Sequence, residues 1–246
     1  MRVRAGRQGP RLRAACELLH IAFFVSHTIH RMHPPIPLFE GLAPESLDRL
    51  MSRCVERRYP KQTVVIHEGD EASALYVIRS GRVRAYLTDA NGREFVLATH
   101  GEGEYFGELA LLDDAPRSAS VATLEPCHVL VLSRAAFEEC LAQNPDLALQ
   151  LLKGLARRVR RLTESARTLA LKDVFGRIVA LLRDLALERD GALVVEERLT
   201  HQEIAKRIGS SREMVSRIMK DLETGGYLET DAERRLVIRR KLPNSW

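Results

Sequence analysis

The chain has 246 residues, of which 45% are hydrophobic and 29% charged. This composition is typical of a globular protein and excludes a disordered or collagen-like chain, and the length suffices for one large domain or two of ordinary size. The four cysteines lie far apart in the sequence. Their spacing excludes a zinc ribbon and a disulfide-dense secreted scaffold, so we expect a protein of the reducing cytoplasm.

The net charge of +5 is concentrated in an N-terminal extension, residues 1–33, which has six arginines and one acidic residue. An argument for nucleic-acid binding must therefore come from motifs rather than from the overall charge. An apolar stretch at 14–25 follows the arginines, but Glu17 and His20 interrupt it and it is too short to cross a bilayer. We therefore expect no membrane association.

Three histidines near the end of this extension have a spacing that would place them on one face of a helix, which is one way to bind a transition metal: His27, His30 and His33. We favour another interpretation, because recognisable folded sequence begins only after Met32. In that interpretation residues 1–31 are upstream sequence that the natural protein does not contain, or a disordered tail. We expect no bound metal.

Residues 34–143 have the pattern of a β-rich sensor domain. A short helix is expected from Pro44 to Arg53. Short β-rich runs follow at 62–66, 74–79, 82–87, 94–98, 119–123 and 128–132. Turn signals such as Asn91-Gly92 separate the runs. Many short strands at this spacing predict a small barrel or jelly roll.

Alternation in the run at 82–87 predicts a strand that is buried on one face only. The inward positions are Val83, Ala85 and Leu87, and the outward ones are Arg82, Arg84 and Tyr86.

One segment, residues 105–121, interrupts the strand pattern. Gly107 opens a single helical turn at 108–112, whose exposed N–H groups would face an anion. Arg117 offers the planar guanidinium suited to a phosphate. Glu108 can accept a hydrogen bond from a sugar hydroxyl, and Ser118 can add a hydroxyl contact.

This segment resembles the phosphate-binding cassette of cyclic-nucleotide-binding domains. The resemblance implies that Glu108 holds the ribose 2′-hydroxyl and that Arg117 holds the cyclic phosphate. The implied ligand residues are Gly107, Glu108, Leu109, Arg117 and Ser118. The alternative is that the protein binds no nucleotide and has the loop because an Arg–Glu pair holds it in place.

Residues 144–171 predict a long dimerisation helix, with Asn144-Pro145 as cap and first turn. A strict heptad seam runs along it: Ala148, Leu152, Leu155, Val159, Leu162, Ala166 and Leu169. Such a seam is typical of a two-helix coiled coil rather than of a helix on a globular core. The flanking Arg157, Arg158, Arg160 and Arg161 are expected on a solvated face, with an anion contact as the alternative.

The helix and the junction that follows it resemble those of the cyclic-AMP receptor protein family, in which the helix also closes the ligand pocket and two adjacent hydroxyl residues contact the purine base. Aligned on the junction at 173–178, that pair falls on Leu162 and Thr163, so the first hydroxyl is absent. Weaker affinity for cyclic AMP, a different nucleotide, and an active dimer that needs no ligand all remain open.

Residues 172–246 have the pattern of a winged helix-turn-helix domain. A helix with Val174, Ile178, Leu181 and Leu185 on one face is expected to run to about Glu188, followed by a strand at 192–195. Thr200 or His201 begins the first helix of the motif, Gly209 makes the turn and Ser211 caps the second helix. Runs at 227–229 and 235–238 predict the wing.

The outward face of the second helix carries polar side chains suited to reading bases in the major groove. Arginine is the best donor to guanine, and glutamate can accept from cytosine. The residues are Arg212, Glu213, Ser216, Arg217 and Lys220. The alternative is a solvated face with an i,i+4 pair between Glu213 and Arg217.

The order of these parts resembles the CRP/FNR family of bacterial transcription regulators. It implies an α+β fold, with an N-terminal double-stranded β-roll, a long dimerisation helix and a C-terminal winged helix-turn-helix. Arg212, Glu213 and Arg217 match residues that read a TGTGA-like half-site, while Thr200 and Gln202 match residues that contact the DNA backbone. The complete DNA-facing set is Thr200, Gln202, Ser211, Arg212, Glu213, Ser216, Arg217 and Lys220.

Ser216 matches the oxygen-sensing branch of that family, so TTGA-like arms are the second choice of DNA site. The cysteine cluster of that branch is absent, and we expect no iron–sulfur cluster.

Three hypotheses follow: a homodimeric regulator switched by cyclic AMP or another cyclic nucleotide, the same regulator without a nucleotide, and a ligand-binding subunit that controls a partner protein. The first two imply duplex DNA, a second copy of the chain and RNA polymerase as partners. The sequence has no Walker loop and no nucleophile elbow, so we expect no enzyme and no catalytic residues.

Overall fold

The computed structural model describes residues 36–40, 42–189 and 191–243. The predictions for residues 1–33, including those for His27, His30 and His33, lie outside this range. The described chain is α+β, as the sequence predicts: a β-roll, a long helix, and a smaller helical domain with its own sheet.

The elements of the β-roll, in chain order, are α1 (Pro44–Met51), β1 (Val55–Tyr59), β2 (Val64–Ile66), β3 (Ala74–Ser80), β4 (Val83–Thr88), β5 (Glu94–His100), β6 (Tyr105–Phe106), α2 (Leu109–Leu112), β7 (Ser120–Thr123), β8 (Cys127–Ser133) and α3 (Arg134–Gln143). The strands form two antiparallel sheets in the orders β1-β8-β3-β6 and β2-β7-β4-β5. Ile78, Val83 and Val129 are fully buried among the inner faces, because alternate strand residues point into the roll.

Two features of the roll differ from the sequence prediction. Strand β1 was not expected, since four of its five residues are exposed and no apolar alternation marks it. Tyr86 is buried although the alternation places it outward. The Tyr86 ring shares the outward face with Arg84, whose guanidinium carbon lies 4.3 Å from the ring centre and covers it. The register of β4 against β5 shifts between Ala85 and Tyr86, and the extra residue lies in β5, because Ala85 pairs with Ala98 and Tyr86 with Val96.

The long helix α4 (Pro145–Leu171) uses two faces. Leu147, Leu151 and Gly154 are buried against the roll, which corrects the expectation of a helix without a globular core. Most of the heptad seam lies on another face and is exposed in the single chain, while Ala148 and Leu155 are half-buried and Leu155 packs against the core of the roll. Proline occupies the first turn, but Asn144 does not cap the helix, because its side-chain amide donates to the Cys140 carbonyl of α3 at 2.8 Å.

The C-terminal elements are α5 (Val174–Leu185), β9 (Ala186–Arg189), β10 (Ala192–Val195), α6 (His201–Ile208), α7 (Arg212–Thr224), β11 (Leu228–Thr230) and β12 (Leu236–Ile238). Helix α5 therefore ends before Glu188, because the following residues pair with β10 as an antiparallel strand. Among the described residues no helix is long and apolar enough to cross a membrane.

Helices α6 and α7 form the helix-turn-helix unit. Thr200 and Glu203 make a reciprocal capping box at the start of α6, and the Ser211 hydroxyl caps α7 by accepting from the Met214 N–H. Gly209 joins the helices with φ of +65°, in the left-handed region that favours glycine. Ile204 and Val215 are fully buried in the shared core, so these two helices cross at close range.

Candidate ligand cavity and DNA-reading face

Strand β6 and the single turn α2 position the cassette. Gly107 lies between them with φ of +85°, and a Cβ at this position would lie 2.7 Å from the Arg117 guanidinium. Glycine is therefore required for its backbone conformation and for the close approach of Arg117. The expected helical turn is present at Leu109–Leu112, with Glu108 just before it.

Arg117 is 5% exposed and is held by backbone carbonyl groups. Its Nη1 donates to the Gly107 carbonyl at 2.6 Å, and its Nη2 donates to the Ala74 carbonyl on β3 at 2.8 Å. Burial lowers the pKa of this guanidinium, while the neighbouring Tyr76 and Glu108 act in the opposite direction. Arg117 is thus a buried cation beside the turn, and no acidic side chain among the described residues forms an ion pair with it.

Glu108 is fully buried and pairs with Arg158 of α4. Arg158 also donates to the Tyr105 carbonyl, and its guanidinium carbon lies 4.7 Å from the centre of the Tyr105 ring. The expected solvated position of Arg158 is therefore wrong. The suggested Arg–Glu pair exists, but Arg158 forms it instead of Arg117.

The sequence contains a pattern that could have predicted the position of Arg158 over the cassette. It lies four residues after Gly154 and seven after Leu151, which is the spacing of one helix face. Because both of those residues are buried on the roll, the same face brings Arg158 over the cassette. The heptad pattern on the other face concealed this second pattern.

A cavity of about 720 Å³ lies next to the cassette. Its wall includes all five cassette residues with expected ligand roles: Gly107, Glu108, Leu109, Arg117 and Ser118. Strand β5 forms another side with residues 95–100, and the wall also includes Leu162 of α4, Leu181 of α5 and Ile208 of α6. Thr163 is not part of this wall; its hydroxyl is exposed and donates to the Val159 carbonyl at 2.9 Å.

A charged group lies next to His100, one of the residues that line the cavity. The Glu104 Oε2 atom accepts from the Gly101 N–H at 2.9 Å and lies 3.6 Å from Nδ1 of the buried His100. Burial alone would raise the pKa of the Glu104 carboxyl. The neighbouring His100 ring, the Gly101 N–H and Arg161 outweigh burial and lower the pKa to about 2.

The candidate DNA-reading face differs from the cavity in its charge pairing. Arg212, Glu213, Arg217 and Lys220 are all exposed on α7. Within the described part of the chain, none of these four side chains takes part in a hydrogen bond or ion pair, and the alternative pair between Glu213 and Arg217 is not formed. The face is therefore available to a partner.

The remaining DNA-facing candidates have distinct environments. The hydroxyls of Thr200 and Ser211 are occupied in the caps of α6 and α7, while Gln202 is exposed. Ser216 is half-buried, and its hydroxyl oxygen lies 2.8 Å from Nδ1 of His201.

The β-roll and the helix-turn-helix unit are in direct contact. The Glu94 carboxylate of β5 lies 2.5 Å from the Lys206 ammonium of α6 and 2.5 Å from the Arg84 guanidinium. The hydrogen bond from Arg84 is the main cause that lowers the pKa of Glu94. The Phe95 ring packs beneath Gly209, 3.5 Å from the position of a Cβ there. Sequence reasoning missed this contact because its two sides lie more than 100 residues apart.

The fold and these two regions define a DNA-binding regulator with a sensor domain. Residues 56–144 match the cyclic nucleotide-binding domain, and residues 176–241 match the Crp-like helix-turn-helix domain. The chain belongs to the CRP/FNR family of bacterial transcription regulators, whose members act on DNA and are not enzymes.

The relatives cover most of the chain. It is 37% identical over 192 residues to the cyclic AMP receptor protein of Thermus thermophilus, covering 78% of this chain and 88% of that protein. It is 32% identical over 204 residues to the CRP-like cAMP-activated global transcriptional regulator of Mycobacterium tuberculosis, covering 81% and 91%. The solved structure of the c-di-GMP responsive global regulator CLP of Xanthomonas campestris is similar with a TM-score of 0.71 and 29% identity, covering 81% of this chain and all of that chain.

Proposed function

We propose that this protein is a homodimeric transcription regulator whose DNA binding is switched by a cyclic nucleotide, with cyclic AMP as the first candidate. Its parts are a sensor domain at 34–143, a dimerisation helix at 144–171 and a DNA-binding domain at 172–246. The observation that carries the proposal is the shared cavity wall. Cassette, long helix and β5 meet there, and β5 also contacts the helix-turn-helix unit.

The cassette supports the nucleotide assignment. A cyclic phosphate would lie against Arg117, the N–H groups of α2 and the Ser118 hydroxyl. A ribose hydroxyl would donate to Glu108, whose Oε1 pairs with Arg158 while its buried Oε2 has no hydrogen-bond partner among the described residues. Leu162 in the wall offers no hydrogen bond to a base. We therefore expect weaker discrimination between cyclic AMP and cyclic GMP than two hydroxyl groups would give.

The exposed seam of α4 supports the homodimer. Leu152, Val159 and Leu162 are 62%, 61% and 51% exposed in the single chain. Burying such an apolar stripe against a second copy is favourable, and the heptad spacing fits a parallel coiled coil. Because Leu162 and Leu169 also line the cavity, the partner helix would close the ligand site.

Strand β5 connects the ligand cavity to the helix-turn-helix unit, so it could couple ligand binding to DNA binding. Its residues 95–100 line the cavity, while Glu94 at its start holds Lys206. A ligand that binds one arrangement of β5 and the long helices more tightly shifts the population toward that arrangement. The position of α6 and α7 then changes with it.

A dimer would present two copies of α7 to DNA. Two recognition helices about one helical turn apart fit a palindromic site. We infer TGTGA-like arms read by Arg212, Glu213 and Arg217, with TTGA-like arms as second choice because of Ser216. We expect Thr200, Gln202 and Ser211 to contact the DNA backbone and Lys220 to add a charged contact. RNA polymerase is the further partner that follows from the regulatory role.

A second candidate is the same regulator acting without a nucleotide. The buried pairing of Glu108 with Arg158 and of Arg117 with two carbonyls favours it, since the cassette has internal partners for its charges in the absence of a ligand.

Calorimetry with cyclic AMP and cyclic GMP separates the two candidates. We expect heat of binding from the wild type and a clear loss of affinity in Ser118→Ala, whose exposed hydroxyl lines the cavity. Ser73→Ala, an exposed serine outside the cavity wall, is the matched control and should bind as the wild type does. No heat from either nucleotide would favour the second candidate.

DNA binding is measured in the same preparations by fluorescence anisotropy with palindromic duplexes. Nucleotide should raise the affinity for the specific duplex, and size-exclusion chromatography with light scattering should report a dimer. A monomer contradicts the proposal. Absence of any DNA complex would instead favour a ligand-binding subunit that controls a partner protein.

A further inference from the structure

A hydrogen bond joins the two helices of the DNA-binding unit at the face proposed to read bases. His201 is the first residue of α6, and its Nδ1 lies 2.8 Å from the hydroxyl oxygen of Ser216, in the middle of α7. Both residues are half-buried, whereas Arg212, Arg217 and Lys220 around Ser216 are exposed. Ser216 is therefore the member of this face whose side chain is held by another part of the protein.

This contact replaces the usual bond of a helical serine. Serine and threonine inside helices commonly donate to the carbonyl four residues earlier, as Thr163 does to Val159 on α4 at 2.9 Å. Within the described residues, the hydrogen bond of the Ser216 side chain goes to His201. The imidazole, and not the serine's own helix, fixes the rotation of this hydroxyl.

The direction of that bond decides what Ser216 offers to DNA. A hydroxyl has one proton and two lone pairs. If Nδ1 accepts the serine proton, only lone pairs remain, and they can accept from the amino groups of adenine or cytosine. If Nδ1 carries a proton and donates it, the serine O–H stays free for guanine O6 and N7 or thymine O4.

We propose that His201 is a positioning residue that sets the hydrogen-bonding polarity of Ser216 and thereby the base preference at one position of each half-site. The proposal rests on the proposed function, in which α7 reads the major groove. His201 then adds sequence selectivity without touching a base. A serine hydroxyl free to rotate would accept either kind of base edge and discriminate poorly between them.

The experiment compares full-length wild type with His201→Phe, Ser216→Ala and the double variant. Affinity is measured against duplexes in which each base pair of the half-site is changed in turn. In His201→Phe the ring remains but its nitrogen atoms are lost, so we expect discrimination at one base pair to fall about three- to tenfold, the net effect of one hydrogen bond. Discrimination at the other positions stays unchanged.

The double variant tests whether His201 affects the base preference through Ser216. If His201 acts through Ser216, adding His201→Phe to Ser216→Ala changes the base preference no further. His201→Gln, whose amide keeps a hydrogen-bonding group at the end of the side chain, should retain part of the discrimination. Gln202→Ala is the control for a neighbouring backbone contact and should weaken all duplexes equally.

Two results would overturn the proposal. A loss of affinity in His201→Phe that is equal for all duplexes and persists in Ser216→Ala would make His201 a phosphate contact. An unchanged preference at every base pair would show that the bond has no part in reading. Thermal unfolding of each variant confirms that it is folded, and a wild type that discriminates between no duplexes would defeat the proposed DNA reading itself.

Discussion

The two functional regions hold their arginines in opposite states. At the ligand cavity, Arg117 of the cassette and Arg158 of α4 are largely buried and are held by carbonyl groups or by Glu108. On α7, Arg212 and Arg217 are exposed, and no partner within the described residues holds them. The arginines at the cavity therefore interact with other protein groups, whereas the arginines on α7 are hydrated.

The difference follows from the energetics of charge. A buried guanidinium without partners is destabilising by several kcal/mol, so the fold supplies partners before any ligand arrives. In the proposed function, a nucleotide in the cavity competes with these partners, and its binding is thereby linked to a rearrangement of the cassette and α4. An exposed guanidinium has no such requirement, and on DNA it gains affinity by releasing counterions from the phosphates.

The largest expected effect is a loss of folding stability when the buried pair of Glu108 and Arg158 is broken. Arg158→Met should lower the free energy of unfolding by about 3–5 kcal/mol, because it leaves the Glu108 carboxylate buried without its cation. Chemical denaturation measures the change. Arg157→Met, on the exposed side of the same helix, is the control and should shift stability by about 0.5 kcal/mol or less. Equal small shifts in both variants would remove the contrast between the regions.

Substitutions on the exposed face of α7 should change the affinity for DNA and leave the folding stability unchanged. Arg217→Ala should weaken binding to the specific duplex by about 1–3 kcal/mol and relax base choice at one position, with the melting temperature unchanged. Anisotropy titrations against single-base variants measure both. Lys220→Ala should weaken all duplexes alike and reduce the salt dependence. If Arg217→Ala also weakens all duplexes alike, Arg217 contacts only the backbone.

The contact between the regions can be measured by a double-mutant cycle on Glu94 and Lys206. Both side chains are about three-quarters buried and their charged atoms lie 2.5 Å apart. We expect a coupling energy of about 0.5–3 kcal/mol in unfolding experiments, and in DNA binding a changed response to nucleotide. Lys61→Met, an exposed lysine on the roll, is the control for loss of a positive charge. Strictly additive effects would show that the two regions are not coupled through this pair.

The smallest expected effect is a pH dependence from Glu104. Its pKa of about 2 in the folded chain lies below the ordinary value of 4.5, so its contribution is fully present above pH 4.5 and is lost as the pH falls toward 2. The carboxylate is 41% exposed, and after allowance for solvent screening we expect about 1 kcal/mol. Denaturation between pH 5 and 2 should be less pH-dependent in Glu104→Gln, and an unchanged dependence contradicts the assignment.

Local signals were sufficient for much of the helix-turn-helix unit. Gly209 and the cap of Ser211 act within a few residues, and the inward positions Ile204 and Val215 follow from helical spacing. The cassette residues were also found, since they fall in one segment. Their roles toward ligand and DNA stay predictions, as do the domain boundaries. The burial of Tyr86 was missed because the alternation of one strand does not show that Arg84 covers the outward ring.

The sequence by itself determined the order of the parts, because caps, turns and periodic apolar positions depend on neighbours a few residues away. Only the tertiary structure decided which charges meet. Arg158 reaches Glu108 across 50 residues, and Lys206 reaches Glu94 across 112. Whether a guanidinium or an ammonium lies in water or against a carboxylate depends on how helices and sheets pack, and no spacing within a single element encodes that choice.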